Sequence, residues 1–173
     1  AYAIVRSRRP RTIVEIGSGH STRFLARAVA DGGRPARIVC IDPAPRAALS
    51  SIAVEWMPRL LGPEDGDLLA KLKAGDVLFI DSSHVAMPGT DVERLVLDVL
   101  PRLAPGVLIH VHDIVLPDAY PAEWDWRGYN EQIVIGALIQ GGGYEVVWSS
   151  RWAATRLNER LGPVVMGTPL VPG

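Results

Sequence analysis

The chain has 173 residues, 48% of them hydrophobic, with a formal net charge of −1 and a single cysteine. Length and apolar fraction suit one α/β domain with one core, so residues 1–173 are read as a single domain. The balanced, interspersed charges leave no footprint for nucleic acid, and lone Cys40 excludes an internal disulfide and fits a reducing cytoplasm.

No apolar run reaches membrane-spanning length and the N-terminus lacks a signal peptide's apolar stretch, so a soluble cytoplasmic protein without a membrane partner is expected. The chain opens at Ala1 without an initiating Met, in what reads as the tail of a helix over Ala1–Arg8, and an N-terminal extension is expected to be missing. The Arg6–Arg11 cluster reads as a solvated entry to the first strand.

Apolar runs then alternate with helical patterns, the signature of a parallel sheet with helices on both faces. The first strand is predicted over Thr12–Ile16, a helix over Ser21–Ala30 and the second strand over Arg37–Ile41. A short helix at Pro45–Ser51, a third strand at Ala53–Met57, a helix at Asp67–Lys73 and a fourth strand at Asp76–Ile80 follow. The helix Thr90–Leu100 has the clearest pattern: Val92, Leu95, Val96, Val99 and Leu100 recur at helical spacing, and Pro101 with Pro105-Gly106 ends it. The fifth strand is predicted over Val107–His112 and a helix over Tyr129–Gln140, which Gly141-Gly142-Gly143 caps. A sixth strand is predicted at Tyr144–Ser149, a short inserted helix at Ser150–Leu161 and a weaker seventh strand at Val164–Gly167.

The segment Ile13-Val14-Glu15-Ile16-Gly17-Ser18-Gly19-His20-Ser21-Thr22 is an apolar strand that ends in an acidic residue and a glycine turn and then opens a helix. Gly17 and Gly19 permit a tight turn and close approach of a ligand to bare backbone, while Ser21 or Thr22 is a candidate helix cap. Asp42 closes the second strand about 25 residues beyond Gly17, where a Rossmann-like unit sets a carboxylate against ribose hydroxyls.

The ordered set Val-Glu-Ile-Gly-Ser-Gly, Cys-Ile-Asp-Pro, Gly75-Asp76-Val77-Leu78-Phe79-Ile80-Asp81 and Leu103-Ala104-Pro105-Gly106-Val107-Leu108 resembles class I S-adenosylmethionine-dependent methyltransferases over nearly the whole chain. Asp81-Ser82-Ser83-His84-Val85, His110-Val111-His112-Asp113-Ile114 and Tyr129-Asn130-Glu131-Gln132 are similar to a bacterial branch near the macrolide-sugar O-methyltransferases. The resemblance implies a Rossmann-like, doubly wound α/β sheet in the order 3-2-1-4-5-7-6, with strand seven antiparallel. It implies S-adenosylmethionine as cofactor, with Glu15, Gly17, Ser18, Gly19, Ser21 and Thr22 around its methionine part, Asp42 on the ribose, and Asp81 and Ser82 completing the site. Ser21 stands where a third glycine is usual, which disfavours a pyrophosphate-bearing dinucleotide. Asp65 and Leu61 are candidates for the adenine pocket.

In that order strands four and five are neighbours, so Asp81 and His84 meet His112 and Asp113 in one crevice. Alternation sets His112 nearer the open end and leaves His110 as a core histidine. Two chemistries compete. Asp81, His112 and Asp113 are candidate ligands for a divalent cation that lowers the pKa of a substrate hydroxyl. Alternatively, His84 or His112 takes the acceptor proton while Asp113 fixes its tautomer. The plain alternative to both is that Asp81 and Asp113 only cap strand-to-helix turns.

Asn130, Glu131 and Gln132 are further candidates for this crevice, and Tyr120, Trp124, Trp126 and Tyr129 suit either a lid over a small hydroxylated acceptor or the interface of a homo-oligomer. Trp148 and Trp152 read as core or interface residues. Two rival functions are weighed. An NAD(P)-dependent Rossmann oxidoreductase is disfavoured because no Tyr-x-x-x-Lys pair occurs; Tyr120 precedes Trp124 and Tyr129 precedes Ile133. A cofactor-binding module without transfer activity would show a blocked acceptor crevice.

Overall fold

The computed structural model describes residues 1–157, which fall into two compact units, Ala1–Asp113 and the part of Ile114–Gly173 up to residue 157. In the first unit, α1 (Tyr2–Arg8) leads into β1 (Thr12–Ile16), α2 (His20–Gly32), β2 (Arg37–Ile41), β3 (Glu55–Met57), α3 (Gly66–Leu69), β4 (Val77–Ile80), α4 (Asp91–Arg94) and β5 (Leu108–Val111). All pairings are parallel and the order is β3-β2-β1-β4-β5. The register sets Glu15 beside both Cys40 and Phe79, and Phe79 beside His110.

The strands at the sheet centre are apolar on both faces, as strands covered on both sides must be. One face contributes Ile13, Ile38, Cys40, Val77 and Phe79, which pack with Val5 of α1 and with Leu25 and Ala28 of α2. Alternation turns Val14, Ile16, Val39, Ile41, Leu78 and Ile80 to the other face, and each is at most 3% exposed. Asp76 ties the start of β1 to the sheet, since its Oδ1 accepts the Thr12 N–H at 2.9 Å and its Oδ2 accepts that of Lys73 at 2.9 Å.

Three expectations change in this unit. The helix predicted over Pro45–Ser51 is irregular chain, tied to the strand ends by Ala44 N–H to Asp42 Oδ1 at 2.7 Å and Arg46 N–H to Ser18 O at 3.2 Å. The helix predicted over Asp67–Lys73 is shorter and starts earlier, at Gly66. The helix predicted over Thr90–Leu100 is α-helical only through Arg94, continues as a π turn over Leu95–Val99 and ends as a 3-10 turn over Leu100–Arg102, where Pro101 supplies no N–H.

In the second unit a 3-10 turn over Ala122–Arg127 precedes α5 (Glu131–Gln140) and α6 (Ser150–Arg156). The predicted sixth strand, Tyr144–Ser149, has no ladder partner among the described residues; Val146, Val147 and Trp148 are each more than half exposed. Its β-type composition reflects fit to a half-buried pleated surface, which this segment lacks. Trp148 and Trp152 are likewise exposed rather than core. The predicted strand Val164–Gly167 lies outside the described residues. Among those residues no helix is long and apolar enough to cross a membrane.

Candidate active site

Each parallel ladder runs one hydrogen bond past its strand: Gly17 N–H to Ile41 O at 3.0 Å, Asp81 N–H to Ile16 O at 2.8 Å and His112 N–H to Ile80 O at 2.8 Å. Asp42, Gly17, Asp81 and His112 therefore stand in a row at the carboxyl ends of β2, β1, β4 and β5, the edge where open parallel sheets bind ligands.

At Gly17 the backbone has φ +78°, and a Cβ would lie 2.1 Å from the Asp81 carbonyl oxygen. Only glycine lets this turn press against the chain leaving β4. The next donor is tied down as well. Gly19 N–H donates to Thr22 Oγ1 at 2.9 Å, and the Thr22 hydroxyl donates to Glu15 Oε2 at 2.6 Å. Neither Ser21 nor Thr22 stands ahead of the helix as its cap; α2 starts at His20 with Gly19 before it, and Thr22 reaches back from within the first turn.

Glu15 is fully buried. Its Oε2 also accepts the Cys40 thiol at 3.4 Å, whereas Oε1 has no hydrogen-bond partner. Burial pushes this carboxyl above its ordinary value, Ser21, Thr22 and Cys40 oppose the rise, and the Asp81 charge adds to it. Burial likewise pushes the Cys40 thiol far up, so it is a core hydrogen-bond donor and not a thiolate. A fully buried carboxylate oxygen without a donor costs about 1–3 kcal/mol. Together with the cradle at Gly17, it fits a ligand bearing a cationic donor, such as the amine of S-adenosylmethionine.

Asp42 is turned toward the same loop. Oδ2 accepts the Ser18 N–H at 2.5 Å and the Ser18 hydroxyl at 3.0 Å, and Oδ1 accepts the Ala44 N–H. Of its roughly four lone-pair sites, three are thus engaged, two by Ser18 and one by Ala44. Asp65 does not line an open pocket: its carboxylate is clamped by the Arg59 guanidinium and the Gly62 N–H. Sequence reasoning missed a groove beside β2 and β3, about 520 Å³ in volume and lined by Pro45, Ala47, Leu49, Ile52, Val54 and Trp56, within the size range of small-molecule sites. Trp56 Nε1–H donates to Asp42 O at 2.8 Å, which joins this groove to the end of β2. Its only sequence signal is the Pro- and Ala-rich run after Asp42, whose pattern predicts a helix.

The ends of β4 and β5 bring Asp81, His84, His112 and Asp113 together. His84 Nε2 lies 3.2 Å from Asp81 Oδ1 and 3.8 Å from Asp113 Oδ2, while His112 Nδ1 lies 2.9 Å from Asp113 Oδ1 and 3.8 Å from Asp81 Oδ1. The side chain of His112 is 47% exposed, whereas His84 is 2% exposed. The hydrogen bond to Asp113 outweighs burial and, with the Asp81 and Asp113 charges, holds His112 above its ordinary value. Burial raises the Asp81 carboxyl, but the His84 hydrogen bond and the charges of His112, His84 and Arg46 outweigh it and leave Asp81 below its ordinary value. His110 stacks on Phe79 with ring centroids 4.2 Å apart, and burial first of all lowers it to about 4, which keeps it neutral and structural.

The structure lends no support to the metal reading of Asp81, His112 and Asp113. Among the described residues no group of three or more His, Cys, Asp or Glu side chains is disposed to hold a metal ion.

In the second unit Gln132 is committed to its own loop: Oε1 accepts the Val115 N–H at 2.7 Å and Nε2 donates to Asp118 O at 2.9 Å. Glu131 is buried and Asn130 precedes α5. Tyr120, Trp124 and Tyr129 pack on one another with centroids about 6 Å apart, a spacing favourable for aromatic pairs, and the Arg127 guanidinium lies over the rings of Trp124, Trp126 and Tyr129.

A parallel sheet in the order 3-2-1-4-5, with a glycine turn after its central strand and polar residues along its carboxyl edge, places the first unit in the Rossmann-like α/β class. A family model described as a methyltransferase domain matches residues 14–114, more than half of the chain, and the protein belongs to that family. Comparison with curated proteins finds no match. The match spans the glycine turn, Asp42 and the Asp81–Asp113 cluster, and it sets the oxidoreductase alternative aside.

Proposed function

We propose that the protein is a class I enzyme that transfers a methyl group from S-adenosylmethionine to a hydroxyl of a small acceptor. The observation that carries this reading is the buried Glu15 carboxyl, whose Oε1 is left without a donor beside a glycine turn that has no room for a side chain. The motifs around Asp81 and His112 support kinship with the macrolide-sugar O-methyltransferases. When bound, S-adenosylmethionine supplies a methyl group already activated by its sulfonium.

The residues of the chain then have two tasks. Glu15, Gly17, Ser18, Gly19 and Thr22 hold the methionine portion, Asp42 orders the loop around it and offers its remaining lone pair to the ribose, and the groove at Trp56 takes the adenine. His112, the exposed imidazole, accepts the hydroxyl proton at Nε2, while Asp113 holds the Nδ1–H and stabilises the imidazolium that forms. The test is transfer of an isotopically labelled methyl group to a panel of small hydroxylated compounds. Labelled ether product from the native protein, lost in His112→Ala with cofactor binding retained, is the expected result. Transfer only to nitrogen or carbon acceptors overturns the hydroxyl assignment.

A further inference from the structure

Three non-glycine residues among those described have a left-handed backbone: Arg9, which closes α1, His84 at φ +60° and Asp113 at φ +53°. The last two face each other across the ends of β4 and β5. L-residues with side chains resist this conformation, so two facing instances mark a place where the surroundings enforce a geometry.

The loop after β4 is tied so as to turn His84 inward. Ser83 donates its N–H and its hydroxyl to the Asp91 carboxylate at 2.9 and 2.5 Å, and the His84 N–H donates to Ser82 Oγ at 3.2 Å. Asp91 is itself fixed in the first turn of α4, which Thr90 caps by accepting the Glu93 N–H. The result is an imidazole 2% exposed with one nitrogen, Nε2, between carboxylate oxygens of Asp81 and Asp113. Both neighbours are acceptors, so that nitrogen carries a hydrogen whichever charge the ring bears. Asp113 then has one oxygen toward His84 and the other toward His112 Nδ1.

We propose that His84 is a positioning residue: its Nε2–H donates to Asp81 at 3.2 Å and faces Asp113 Oδ2 at 3.8 Å, an electrostatic contact that keeps Asp113 turned so that it holds the hydrogen of His112 on Nδ1 and leaves Nε2 bare. The ring is too buried to touch an acceptor and acts only through the two carboxylates. Its purpose rests on the methyl-transfer reading, but the contact itself does not.

Long-range ¹H–¹⁵N NMR of the full chain, at a pH where His112 is neutral, reads the tautomer of each ring directly and needs no acceptor. The native protein is expected to show His84 with a protonated Nε2 and His112 as the Nδ1–H form. His84→Asn, which tolerates the left-handed backbone but is too short to reach both carboxylates, should lose the fixed Nδ1–H form of His112, and His84→Gln should restore it in part. A folded His84→Asn with an undisturbed His112 tautomer overturns the proposal. If that variant does not fold, a native spectrum with His84 hydrogenated only at Nδ1 overturns it equally. S-adenosylhomocysteine binding, measured alongside, should persist in His84→Asn. Its absence from the native protein would sink the methyl-transfer reading and leave the tautomer result to decide the clamp.

Discussion

Replacing Gly17 by alanine probes the contact that shapes the proposed cofactor loop. The added Cβ would sit 2.1 Å from the Asp81 carbonyl oxygen and 3.1 Å from its carbon, roughly 1 Å inside the closest approach that packed interiors allow. The obstacle is backbone at the end of β4 and cannot swing aside. Two costs combine: a left-handed alanine costs about 1–2 kcal/mol, and overpacking about 1–3 kcal/mol. Gly33 provides the control, since it has φ +64° and nothing within 4 Å of its Cβ position, so Gly33→Ala meets only the first cost. Urea unfolding followed by S-adenosylhomocysteine titration should show Gly17→Ala destabilised by about 2–5 kcal/mol and deficient in binding, against about 1–2 kcal/mol and unchanged binding for Gly33→Ala. Equal destabilisation of the two variants, with binding intact in both, would refute the reasoning.

Glu15→Gln tests the buried carboxyl. A carboxyl raised by burial holds its proton more tightly folded than unfolded, so native stability should fall as pH rises from the ordinary value of 4.5 through the raised one, and the variant should lose that slope in a stability–pH series. Its affinity for S-adenosylhomocysteine should drop by about 1.5–3 kcal/mol through loss of a charged acceptor, which calorimetry reads. Asp42→Ala removes the acceptor for Ser18 and Ala44 and should weaken binding by about 1–3 kcal/mol, with Asp42→Asn intermediate; an unchanged affinity in a folded variant excludes Asp42 from the site. Proton NMR should find His112 titrating above 6.5 and His110 at about 4, and Asp113→Asn should bring His112 down. Because His112 binds its proton more tightly in the folded state, the stability it adds is full below 6.5 and is lost as pH rises through its raised value.

The limits of β1 and β2 were legible to the residue, because both are buried apolar runs bounded by arginine or threonine on one side and Gly17 or Asp42 on the other. That β4 and β5 are neighbours, and with it the meeting of Asp81, His84, His112 and Asp113, followed from the sheet order that the family resemblance implied. What escaped depends on where hydrogen bonds go. Nothing in Ala44-Pro45-Arg46 announces that Asp42 and Ser18 accept two of its N–H groups and tie the segment to the strand ends. Nothing in Tyr144–Ser149 says whether a sheet edge is available to pair with. The Asp81-Ser82-Ser83-His84 run gave the imidazole but not its left-handed backbone, which follows from the distant Asp91. Burial separates the two imidazoles, His84 at 2% exposed and the His112 side chain at 47%.

Isothermal titration of the full chain with S-adenosylhomocysteine and, separately, with NADH tests the central claim most directly. Saturable binding of S-adenosylhomocysteine that is weakened in both Gly17→Ala and Glu15→Gln, with no heat from NADH, is the predicted result. Binding of NADH without binding of S-adenosylhomocysteine would contradict it.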